Sequence, residues 1–403
     1  MRATLSIMAV AVACVGAPLV CGAASSSLVR SPVPQGDLRA YMHGIGTATG
    51  PNGVTYVFFS SSGLPPRGAG SDGNWTHDVY VARWSPAQSK LGKPRIFIQR
   101  PEAQEPVSIA QNDRGNIMVT FEDGWNAPNT VSQRYGVYTP GLKPVRPYPV
   151  DVWSGGHSGH AAAVGKRFVV FYSDDWVDGG GVDNLGTGKG VYLKTYDSNG
   201  ALLQSVDVAR GVREWWPMIA GSPSRALLVW QQYVNDATYA RLKVAVFDPA
   251  DGKLGEPRVI ETHLKYYTYA AAWVPAIDRF VVVGSDANGK GFAQLLDQDG
   301  ATVATLACMP ATVREAGIAV AGNQVFTPSQ DGRLLHLRLS AASVDLVATQ
   351  PSPIKWTYQG SLGLVRSPSR VHWVALSPEG LRETEFDLSQ AQPASAEDRC
   401  VPE

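Results

Sequence analysis

Apolar residues in this chain fall in short runs that return about every 45–55 residues from Tyr41 to the C-terminus. The clearest runs are Val54–Phe59, Ile117–Phe121, Phe168–Tyr172, Ala226–Trp230 and Phe280–Val283; weaker copies follow at Gln324–Phe326 and Val371–Ala375. Each run follows a small or apolar segment and a tight turn. Runs this short, bounded by turn residues, read as buried strands. No stretch combines a 3.6-residue apolar period with capping residues, so very little helix is expected.

The turns carry Gly, Pro, Asp and Asn: Gly50-Pro51-Asn52-Gly53, Asn112-Asp113-Arg114-Gly115, Ser198-Asn199-Gly200, Asp248-Pro249-Ala250-Asp251-Gly252 and Asp297-Gln298-Asp299-Gly300. These residues supply the fixed or positive φ that hairpins need. In the fourth unit four strands are expected, at Pro217–Ala220, Arg225–Gln232, Arg241–Phe247 and Arg258–Glu261. Repeated four-stranded units of this size predict an all-β, seven-bladed β-propeller, with six or eight blades as the alternatives. The blades are expected to start near Met42, Glu105, His160, Trp216, Tyr269, Glu315 and Gln359. The last lacks an outer strand, which Ser27–Val33 would supply, so that an N-terminal strand closes the ring and removes the exposed edges.

Length agrees with a repeating architecture, because a single core rarely grows past about 250–300 residues, and this chain has 403. Lys+Arg and Asp+Glu balance at 35 each, which gives no electrostatic argument for nucleic acid. The N-terminus reads as an export signal over residues 1–24. Arg2 is the positive start, Leu5–Val15 the apolar centre, and Cys21-Gly22-Ala23-Ala24 offers small residues for cleavage. Plain export to the periplasm or outside is preferred to lipidation at Cys14 or Cys21, and no later segment is apolar for long enough to span a bilayer. The propeller is expected over residues 27–390, with a tail over 391–403. Cys308 and Cys400 remain after the signal and are expected to form a disulfide that pins the tail near the end of the fifth unit.

In a propeller, the first strand of every blade lines the central channel, and the segments leading into those strands open on one rim. Read in order, these segments hold His43; Glu105; His157 and His160; Arg213, Glu214, Trp215 and Trp216; Tyr266, Tyr267 and Tyr269; Arg314 and Glu315; and Lys355, Trp356 and Tyr358. The set suits an anionic carbohydrate. Aromatic faces stack on sugar rings, arginines hold carboxylates, and histidine moves protons near neutral pH. His160, Tyr269, Arg213 and Arg314 are the expected catalytic residues; His43, His157, Glu105, Trp216, Tyr267 and Trp356 are expected to bind substrate. The alternative readings are a structural bond from His160 to a neighbouring strand, packing between blades for one of Trp215 and Trp216, and inter-blade ion pairs for the arginines.

The loop after Phe168–Tyr172 is rich in Asp and Gly. Asp174, Asp175, Asp178 and Asp183 could wrap a calcium ion, or could simply form a solvated acidic loop.

The motif Gly155-Gly156-His157-Ser158-Gly159-His160-Ala161, followed by an apolar strand and an Asp/Trp-rich loop, resembles secreted carbohydrate-active propellers, nearest the polysaccharide lyases that act on uronic-acid polymers of the ulvan or rhamnose-glucuronate type. The resemblance implies that histidine and tyrosine exchange protons while arginine neutralises the uronate. Those lyases often carry a second histidine at the end of the next strand, where this chain has Ser173, Asp174 and Asp175. The expected function is therefore an exported lyase that cleaves a uronic-acid-containing polysaccharide or oligosaccharide by β-elimination, acting as a monomer. The alternatives are a glycoside hydrolase, with its carboxylates among Glu105, Glu214, Glu315, Asp174 and Asp175, and a non-catalytic glycan- or protein-binding propeller.

Overall fold

A computed structural model describes residues 38–68, 76–101, 103–123, 131–174, 190–211, 214–234, 237–356 and 360–400. Seven antiparallel sheets form seven blades, and the only helical elements among the described residues are short 3-10 turns. The innermost strands are Met42–Thr49, Glu105–Gln111, His157–Val164, Glu214–Gly221, Ala270–Val274, Ala319–Ala321 and Ser361–Ser367. Successive strands of each blade pair outward in chain order. The fourth blade runs Glu214–Gly221, Ala226–Tyr233, Ala240–Asp248 and Arg258–Leu264, with a short added strand at Lys253–Leu254.

Second strands read as continuous apolar runs because neighbouring sheets cover both of their faces. Val57, Phe58 and Phe59 are all fully buried. Phe58 packs toward blade 2 with Val107, Val119 and Phe121, and Val57 packs toward blade 7 with Leu362, Leu364 and Val374. Each such side chain contributes about 1.5–3 kcal/mol. The core is thus a set of layers between blades. Outermost strands have water on one side, so Thr302–Pro310 alternates exposed with half-buried positions.

Near the axis the innermost strands approach closely. A side chain at Gly221 would collide with the carbonyl of Ala163 in the preceding blade. The ring closes between blades 7 and 1, where Leu91 N donates to Glu383 Oε2 at 2.7 Å and His372 stacks on Trp84 at 5.7 Å. Blade 7 shows three strands among the described residues. The expected closing strand Ser27–Val33 and the expected signal lie outside them.

The C-terminal segment joins blade 6. Gln392–Pro393 pairs with the outer strand Val344–Pro351, Arg333 Nη1 meets Asp398 Oδ1 at 2.7 Å, and Cys308 is disulfide-bonded to Cys400. A disulfide of this kind is consistent with an oxidising compartment, and no helix among the described residues is long and apolar enough to cross a membrane.

Candidate functional site at the channel mouth

The innermost strands of blades 1 to 4 begin with an irregularity. The pairing register jumps between Met42 and Ile45, Glu105 and Ser108, and Trp215 and Met218, and the same jump falls opposite Phe171/Ser173 in blade 3. Backbone φ is positive at Gly44 (80°), Ser158 (51°), Trp216 (55°), Tyr267 (62°) and Glu315 (53°). For non-glycine residues such a conformation costs about 1–3 kcal/mol. Bonds between blades repay it. Glu315 N donates to Tyr267 O at 2.9 Å, Tyr267 N donates to Gln231 Oε1 at 3.1 Å, and Ser158 N donates to Glu122 Oε1. The bulges turn side chains toward the axis, where blades 1 to 6 meet.

His43 is at the centre. Its Nδ1–H donates to Glu105 Oε2 (2.7 Å, blade 2) and its Nε2–H to Glu315 Oε2 (3.1 Å, blade 6). Burial alone would depress its pKa, but the charges and bonds of Glu315 and Glu105 outweigh burial and push it up to about 10. His43 is therefore a buried imidazolium. Burial works against ionisation of Glu315 as well, yet His43, Arg314 and Arg39 hold that carboxyl below its ordinary range. Arg39 comes from the buried turn Leu38–Ala40 just before blade 1. Arg314 Nε reaches Glu315 Oε1 at 3.2 Å, and its guanidinium lies 4.1 Å from the centre of the Tyr267 ring.

Glu122 behaves oppositely. It is the cross-strand partner of Glu105, and facing side chains in such a pair stand about 4.5–5.5 Å apart at Cβ. Burial, then the Glu105 charge, raise its pKa well above the usual carboxyl value. Its Oε1 accepts from Ser158 N and lies 3.2 Å from His157 Nδ1, while Oε2 is buried without a hydrogen-bond partner. His157 is kept neutral by burial and by the charges of Arg39 and His43. The Glu122–His157 contact is thus between two uncharged groups, and His157 Nδ1 is hydrogen-bonded to the Ser158 hydroxyl.

Aromatic rings surround this polar centre. Trp216 stacks over His43 at 6.4 Å, meets Tyr267 edge-on at 5.1 Å and His160 at 6.2 Å. Trp215 packs on His157 at 4.7 Å. His160 Nδ1–H is shared between Ser158 O (3.0 Å) and Pro217 O (2.8 Å). Burial lowers its pKa, so the neutral ring carries its lone pair on Nε2.

The structure thus brings His43, Glu105, His157, His160, Trp216, Tyr267, Arg314 and Glu315 to one mouth. Tyr269 is adjacent, but its hydroxyl is buried, donates to Trp216 O, and has a pKa raised well above 10 by burial and then by Tyr267. Trp356 packs against Trp373 and Phe386 of blade 7 at 6.0 and 6.1 Å. Glu214 binds Trp230 Nε1, Gln232 Nε2 (2.8 Å) and Lys243 Nζ (2.9 Å), which fastens the strands of blade 4. Arg213, Asp175, Asp178 and Asp183 lie outside the described residues. Asp174 ends the second strand of blade 3, and the described residues include no group of three or more His, Cys, Asp or Glu that could hold a metal.

Sequence reasoning did not single out Glu122. The turn Asn112–Gly115 pairs Gln111 with Ile117 and Ser108 with Thr120. Continued without a bulge, that register puts Pro106 opposite Glu122. The bulge brings in Glu105 instead.

The fold is shared with solved proteins of several kinds. Hydrazine synthase of Kuenenia stuttgartiensis aligns with a TM-score of 0.53 and 14% identity, covering 90% of this chain and 99% of its own. Penicillium chrysogenum alpha-L-arabinanase, complexed with arabinobiose, gives a TM-score of 0.51 and 10% identity over 87% of this chain and 94% of its own. The Hadza microbial sialidase Hz136 gives 0.53 and 11% over 87% and 66%. Identities this low show the fold alone. No family model matches the chain, and no curated protein matches it in sequence.

Proposed function

We propose that this propeller is a glycan-active enzyme that cleaves glycosidic bonds by hydrolysis, with Glu122 as the acid and an ionised carboxylate of the His43 cluster as its counterpart. The observation that carries the reading is the opposed state of two carboxyls in one cluster: Glu122 is held protonated and Glu315 is held ionised. Environments that push two carboxyls apart in this way separate an acid from a base or nucleophile. Glu122 Oε2, the buried oxygen with no partner, is the atom from which a proton would pass to a leaving oxygen. Glu122 is 1% exposed, so a substrate reaches it by displacing side chains of the mouth.

Elimination fits these side chains less well. One of its two expected bases, Tyr269, is committed to the Trp216 carbonyl (the other is His160), and Arg314, the described arginine assigned to the uronate, already faces Glu315 and Tyr267. An arabinanase and a sialidase among the solved propellers are companions in fold and agree with a glycan substrate. The test is release of new reducing ends from arabinan, polygalacturonate and ulvan by the wild type and by Glu122→Gln. Activity in the wild type that is lost in the variant supports the assignment; equal activity in both rejects Glu122 as the acid.

A further inference from the structure

We propose that the rim surface around Trp153, where blades 2 and 3 meet, is a second glycan subsite, with Trp153 as the platform on which a neutral sugar ring stacks. The inference rests on the glycan-active reading of the mouth.

Trp153 is the penultimate residue of the outer strand Pro144–Ser154 of blade 2 and is 44% exposed, the only aromatic among the strongly exposed large apolar side chains of the described residues. Single exposed aliphatic residues are ordinary. A large exposed indole held in a fixed place is less so. The pairing register shifts between Gln133, opposite Trp153, and Arg134, opposite Asp151. The extra residue is Val152, which packs with Phe168 and Tyr172 of blade 3. A bulge of this kind re-aims a side chain, and here the Trp153 ring meets a residue of blade 3 as well.

That residue is Lys194. Its ammonium lies 5.0 Å from the centre of the Trp153 ring and donates to Val152 O at 2.5 Å. One cation therefore both fixes the backbone and orients the indole, so little ordering is left for a ligand to impose. Tyr192 is two residues from Lys194 on the same strand, hence on the same face, and stacks on Tyr172 at 6.0 Å. Asp207 stands opposite Tyr192 and is ion-paired with Arg210. On the other side of Trp153, Asp151 is bound to Arg134 at 2.8 Å. An exposed indole bordered by an amine and by ion-paired carboxylates offers a stacking face and hydroxyl-bonding groups without a large net charge. That chemistry suits a neutral sugar.

Trp153 is four residues before His157, a span of at most about 14 Å of chain. A glycan of a few units lying from the axis outward between blades 2 and 3 would reach both.

Affinity electrophoresis in gels containing arabinan, polygalacturonate or ulvan tests this with the wild type, Trp153→Ala, Trp153→Phe and the control Leu202→Ala, whose side chain is 54% exposed on the outer strand of blade 3. The expected result is about tenfold weaker retardation for Trp153→Ala, with Trp153→Phe and Leu202→Ala close to wild type. Equal retardation of Trp153→Ala and wild type overturns the subsite and leaves the Glu122 assignment standing. Absence of retardation of the wild type in all three gels also overturns it, while hydrolysis by wild type and Glu122→Gln judges the mouth separately.

Discussion

Glu105 and Glu122 face each other across the first hairpin of blade 2, and only one of them is bonded to a cation: Glu105 receives the His43 imidazolium at 2.7 Å, while Glu122 is left beside a neutral His157. Like charges directly opposite in a sheet repel. Burial adds to that repulsion, and the proton stays on Glu122.

Glu122→Gln should therefore fold as well as the wild type, because a neutral amide replaces a neutral acid. An unfolded glutamate ionises near its ordinary value of 4.5, whereas the folded one holds its proton to much higher pH. Its raised folded pKa gives a contribution that is full below 4.5 and is lost as pH rises toward the folded value. Denaturant melts at stepped pH should show wild-type stability falling above about pH 4.5 relative to Glu122→Gln. In the same variant, turnover should drop about 10²–10⁴-fold.

His43→Gln should be strongly destabilising. It leaves two buried carboxylates without their shared cation, and breaking a buried pair from one side costs about 3–5 kcal/mol. The His43 contribution has its own window. With an ordinary value of 6.5 and a folded value of about 10, it is fully present below pH 6.5 and declines as pH rises through 10. A difference between variant and wild type that persists undiminished above pH 10 would contradict a charged His43.

Gly221→Ala tests the close approach of blades 3 and 4. The added methyl meets the Ala163 carbonyl, a backbone atom that moves only if the strand moves. Overpacking of this kind costs about 1–3 kcal/mol. The melting temperature should fall, while Leu202→Ala on the outer surface should leave it unchanged.

Replacing Cys308 and Cys400 with serine should cost about 2–5 kcal/mol, since the bond closes a loop with a sequence separation of 92. Limited proteolysis should then cut near Gln392–Pro393, whose pairing on blade 6 is two residues long.

Much of the ring was legible in the chain. Val54–Phe59 and Phe168–Tyr172 are apolar on both faces because two sheets sandwich them, and that doubled burial leaves a plain sequence signature. The expected start of blade 4 at Trp216 fell two residues from the observed Glu214. Convergence of His43, Trp216 and Glu315 followed from topology alone. Pairing partners at the mouth did not, because bulges and positive φ at Ser158, Trp216, Tyr267 and Glu315 depend on contacts between blades that no local pattern records. Glu122 was hidden for that reason, and so was the sequestration of the Tyr269 hydroxyl.

The most direct test follows the products. Wild type and Glu122→Gln are incubated with the three polysaccharides while reducing ends and ultraviolet absorbance are recorded together. Hydrolysis at the mouth gives wild-type reducing ends with no new absorbance, and none from the variant; an absorbance rise from unsaturated uronate, undiminished in Glu122→Gln, contradicts it.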